Sequence, residues 1–97
     1  MAQFDVLTFD GDYVIDCQSN VLDHLASRFV VPLVAERDAP LPVRHLNPVF
    51  EIDGERYVMV TQSAAAVHAR KLGPVVASLS HRSFEISGAI DVLISGV

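Results

Sequence analysis

Val49-Phe50-Glu51-Ile52-Asp53-Gly54-Glu55-Arg56-Tyr57-Val58-Met59-Val60 carries the strongest local signal in the chain. Two β-forming runs, Val49–Ile52 and Tyr57–Val60, flank Asp53-Gly54, and Asp-Gly accommodates the positive φ values of a tight turn, so an antiparallel hairpin is predicted. Toward the N-terminus, Phe4, Val6 and Thr8 alternate with Asp5 and Leu7 as in a half-buried strand, and Asp10-Gly11-Asp12 turns the chain into a second strand, Tyr13–Cys17. Asn20–Leu25 is too short for a stable helix and reads as a turn, or a single helical turn, that exposes Val21 and Leu22. Phe29-Val30-Val31-Pro32-Leu33-Val34 is strongly β-forming, but Pro32 has no N–H to give a ladder, which predicts a sheet edge or a bulge.

Ala35–Leu46, with Pro40 and Pro42, reads as the longest irregular loop, and alanine-rich Ser63–Arg70 is ambiguous. Leu72-Gly73-Pro74 breaks the chain before a short strand at Val75-Val76. Beyond it the period changes. From Ser80 or Ser83, either of which can N-cap, Ile86, Ala89, Ile90, Leu93, Ile94 and Val97 follow three- and four-residue spacing, which predicts a C-terminal helix to the end of the chain. Gly88 inside that helix costs about 1 kcal/mol relative to Ala, and points to close approach of another backbone. No cap or polar tail follows Ile94, so the helix end itself is expected to contact something.

The 97 residues accommodate one domain, residues 1–97, and 51% of them are apolar with a mean hydropathy of +0.35. That is more apolar surface than so small a core readily hides, so a homodimer is expected, with Gly88 and Ile94 in its interface. Charged and turn residues interrupt every apolar run short of the roughly 18 residues of a membrane span, so no membrane partner is expected. Met1–Asp5 lacks the basic flank and apolar stretch of a secretory signal, which makes the cytoplasm the expected location. The single cysteine, Cys17, lies in an apolar stretch and is expected to act as a small hydrophobe.

Seven Lys and Arg against twelve Asp and Glu leave a net charge of −5, and the basic residues are scattered, which disfavours direct nucleic-acid binding. His24, His45, His68 and His81 are too far apart for a local metal-ligand motif, so no metal is expected. The chain has no glycine-rich phosphate loop and no Gly-x-Ser-x-Gly elbow, and Cys17 has no evident base beside it; it does not read as an enzyme.

Seven fragments in order resemble the CcdB family of toxin–antitoxin modules. They are Phe4, Asp16-Cys17-Gln18-Ser19, Val30-Val31-Pro32-Leu33, Pro48-Val49, Met59 with Thr61, Leu79-Ser80-His81-Arg82, and Ala89-Ile90 with Gly96-Val97. The resemblance implies a mainly β fold with a C-terminal α-helix: an SH3-like antiparallel β-barrel, formed as a homodimer. It also implies binding to the A subunit of DNA gyrase, trapping of gyrase on cleaved DNA, and release by a cognate CcdA-like antitoxin that represses the operon with the toxin. No cofactor is implied. The gyrase-binding positions of the family fall on Val21, Leu22, Asp91, Ser95, Gly96 and Val97. Val21 and Leu22 then supply apolar contact, Gly96 allows close approach and Val97 offers an apolar tip. Ser95 stands where well-known members carry Trp, and Asp91 where they carry Asn. Two other functions are compatible with this architecture: a MazF-like ribonuclease toxin, and a CcdB-fold dimer that binds antitoxin but has lost gyrase poisoning.

Overall fold

A computed structural model describes residues 1–96. Its strands are β1 (Asp5–Phe9), β2 (Asp12–Asp16), β3 (Ser27–Ala35), β4 (Val49–Ile52), β5 (Glu55–Met59), β6 (Ala65–His68) and β7 (Val75–Ser78), followed by the helix α1 (Ser83–Ser95). The strands make one antiparallel sheet ordered β4-β5-β3-β2-β1-β7, with β6 also on β3, curled into a half-barrel. The mainly β architecture with a C-terminal helix is therefore present. Both predicted hairpins form. Asp53 and Gly54 have φ of 52° and 79°, and Asp10 and Gly11 repeat the pattern at 50° and 83°, the left-handed values a two-residue turn needs to match strand twist.

Pro32 is the first departure from expectation. β3 is an interior strand, paired to β2 along one edge and to β6 and β5 along the other. The Pro32 carbonyl accepts the Val60 N–H at 2.9 Å, so its ring nitrogen faces the same edge, where β6 covers Ser27–Val30 and β5 covers Leu33–Ala35. The missing donor thus falls in the gap between two partner strands, where no ladder bond is lost. Within Ser63–Arg70, Ala65–His68 forms β6, between two 3-10 turns, and fills the first half of that edge.

β1 departs from simple alternation. Val6 and Leu7, on opposite faces, are both buried, because α1 covers one face and the curl of the sheet encloses the other. The core on the helix side joins Val6, Ile15, Val31 and Met59 to Ile86 and Ala89 of α1.

No serine caps α1. A 3-10 turn, Ser80–Arg82, runs directly into it, and Arg82 anchors the junction instead. Its guanidinium lies 4.7 Å from the centroid of the Phe50 ring and pairs with Glu85 at 2.7 and 2.8 Å. That pairing holds the Glu85 carboxyl below its ordinary value. The far end is capped, contrary to expectation: Gly96 takes the left-handed conformation, φ 77°, and donates its N–H to the Val92 carbonyl at 2.9 Å. A Cβ at Gly88 would meet nothing within 4 Å, so among the described residues no neighbouring backbone approaches it.

Candidate binding surface

Asp16-Cys17-Gln18-Ser19 leaves β2 and leads to a 3-10 turn, Asn20–Leu22, that carries Val21 and Leu22. None of the three turn residues is buried, and Val21 is 82% exposed. Apolar packing therefore does not hold this turn; polar contacts do. The Ser19 hydroxyl accepts the Val21 N–H at 3.3 Å, the Asn20 side chain accepts the Gln3 N–H at 2.9 Å, and Gln18 Nε2 donates to the Leu22 carbonyl at 2.8 Å. At the root of the segment, Asp16 accepts Arg28 Nε and Nη2 on one oxygen and the Gln18 N–H on the other. Cys17 is buried between them, and desolvation, with Asp16 beside it, pushes its thiol up to about 12, so it stays neutral and inert as expected of a core residue.

The second group of expected site residues lies on α1. Ile86 and Ala89 are buried, but the stripe surfaces along the helix: Leu93 is exposed and Ile94 is 78% exposed. Asp91, Ser95 and Gly96 are exposed too, and the Ser95 hydroxyl donates back to the Asp91 carbonyl at 2.7 Å. Val97 lies outside the described residues. Gly88, Asp91 and Gly96 line a groove of about 770 Å³ between α1 and the loop Pro42–Pro48, with Phe84 and Val92 on the same helix face. Val21, Leu22, Ser95 and Ile94 do not line it. Within one chain Asp91 and Gly96 thus line the groove beside Ser95 at the end of α1, while Val21 and Leu22 lie on the turn outside it.

Two features escaped the reading of the sequence. Phe84 is 95% exposed, and its spacing to Gly88, Asp91 and Val92 (four, seven and eight residues) is a helical face in its own right, overshadowed by the more apolar stripe beside it. Arg28 lies in a β-forming run and nothing local marks it as buried; its partner is twelve residues away. Among the described residues no group of three or more His, Cys, Asp and Glu is placed to hold a metal ion, and no helix is long and apolar enough to cross a membrane.

A family model described as CcdB protein matches residues 4–96, almost the whole chain. The match agrees with the order of strands and the terminal helix, and covers both the Val21-Leu22 turn and the exposed end of α1. The chain belongs to the CcdB family, toxins of toxin–antitoxin modules that are partnered by an antitoxin.

Proposed function

We propose that this protein poisons DNA gyrase by binding its A subunit as a homodimer, and that it is not itself an enzyme. The observation that carries this reading is the presentation of Val21 and Leu22 on a turn with no buried residue, tethered through polar groups to the sheet. Exposed apolar residues held in a defined geometry suit a protein partner. Asp91, Ser95, Gly96 and Val97 supply the rest of the contact, and Gly88 and Ile94 bring two chains together. In the proposed dimer the turn and the helix end form one continuous surface. A cognate antitoxin releases gyrase from this surface and, with the toxin, represses their operon in the cytoplasm.

The test is a gyrase cleavage assay run beside digestion of labelled RNA. Trapped cleavage complex should rise with toxin concentration, fall with Val21→Asp or Leu22→Asp, and leave RNA intact. RNA cleavage that a point substitution abolishes establishes a ribonuclease instead. Antitoxin binding without trapped gyrase establishes a dimer that keeps only its regulatory role.

A further inference from the structure

We infer that Gln18 is a positioning residue for the partner contact: it makes no use of its own surface, but holds the Val21-Leu22 turn at the angle the partner meets. This inference rests on the proposed contact of that turn with gyrase. Gln18 is 9% exposed, and its amide is spent at both ends. Oε1 accepts the Phe29 N–H of β3 at 2.9 Å, while Nε2 donates to the Leu22 carbonyl at 2.8 Å. One planar group therefore ties the turn to an interior strand. Its own backbone N–H is held at 3.0 Å by Asp16, which the buried Arg28 fixes in turn.

The other tethers are weaker anchors. The bonds at Ser19 and Asn20 are exposed and open to competition from water, whereas the Gln18 bond is partly buried. A lone 3-10 turn has too few internal bonds to hold its own geometry, and with no buried side chain it has no packing to replace them. Release of Nε2 should leave the turn attached to the chain but free to sample other orientations.

Gln18→Glu separates the two halves of the amide. It keeps an acceptor for Phe29 N–H, and replaces the donor to Leu22 with an oxygen that repels the carbonyl. The measurement is gyrase trapping by wild type, Gln18→Glu, Val21→Ala/Leu22→Ala and the triple variant, with amide hydrogen exchange on each. Gln18→Glu should lower trapping potency by at least about fivefold, the order of one lost neutral hydrogen bond, with the repulsion added to it. In the Val21→Ala/Leu22→Ala background it should have no further effect, because a positioning residue acts only through what it positions. Exchange should quicken at Leu22 and Asp23 while Phe29 stays protected. If the variant fails to fold, the wild-type side-chain amide protons of Gln18 still decide: exchange as fast as that of a free glutamine overturns the tether. Equal trapping by wild type and Gln18→Glu overturns the role of Gln18 alone. Failure of wild type to trap gyrase overturns the functional reading, and the inference with it.

Discussion

Arg28 gives two hydrogen bonds to a single carboxylate oxygen of Asp16, from Nε at 3.0 Å and Nη2 at 2.5 Å, with at most 2% of either side chain exposed. The two residues sit diagonally across the β2–β3 ladder, where Asp16 faces Val30. Taking both charges out of water is expensive, and their mutual pairing, with the Gln18 N–H on the other carboxylate oxygen, offsets it. The pair also fixes the carboxylate that receives the Gln18 N–H, so it joins β2 to β3 and orders the root of the Val21-Leu22 turn together.

Arg28→Met should therefore lower stability by about 3–5 kcal/mol, because it leaves a buried carboxylate without its cation. Asp16→Asn/Arg28→Met keeps an acceptor for the Gln18 N–H and removes both charges, so it should recover a substantial part of that loss. Urea unfolding of the two variants decides. A double variant no more stable than Arg28→Met counts against a charge-based cost.

Gly73 is held close to β1, with its N–H on the Thr8 carbonyl at 2.8 Å. A Cβ there would overlap Thr8 Oγ1 and come within 3.3 Å of both Thr8 Cβ and the Thr8 carbonyl oxygen. Rotation of the hydroxyl relieves only the first clash. Gly73→Ala should cost about 1–3 kcal/mol, as overpacking does, and Thr8→Ala should restore part of it in the double variant. Thermal melts of the four proteins complete the cycle; strict additivity would show that the two residues do not meet.

Cys17 gives a stability that depends on pH. Burial raises its folded-state pKa from the ordinary 9.0 to about 12. Below pH 9 both folded and unfolded chains hold the proton, and the full stability is present. Between about 9 and 12 the unfolded chain loses its proton first, so stability falls, by up to about 1.4 kcal/mol per pH unit from this group. Unfolding free energies from pH 8 to 11 should fall more steeply for wild type than for Cys17→Ala. Parallel slopes would mean that the thiol ionises freely in the native state.

Gly88 discriminates between one chain and two. Among the described residues a Cβ at Gly88 meets nothing within 4 Å, so Gly88→Ala meets no clash and gains helix propensity of about 0.8–1.0 kcal/mol. Any penalty must come from a second copy. Helix content should hold by circular dichroism, while sedimentation at micromolar concentration should shift from the proposed dimer toward the 10.6 kDa chain. A variant that stays as dimeric as wild type removes Gly88 from the interface.

The hairpins at Asp10-Gly11 and Asp53-Gly54, the exposed turn at Val21-Leu22 and the helix after residue 80 were legible in the amino-acid sequence, because each rests on neighbours within a few residues. Two-residue turns demand positive φ, and a helix repeats its apolar face over three or four positions, so the cause lies inside the window being read. Tertiary structure alone decided the rest. Pro32 implies an edge by its own chemistry, yet sits inside the sheet because β5 and β6 leave a gap opposite it. Arg28 became a buried residue because Asp16 folds beside it, and Ser80 and Ser83 do not cap because the 3-10 turn Ser80–Arg82 runs straight into α1 and leaves Arg82 at the N-cap. Each of these outcomes depends on a partner twelve or more residues away or on a junction between elements. The free energy of burying a charge or omitting a hydrogen bond is set by what surrounds the group after folding, and no local pattern records those surroundings.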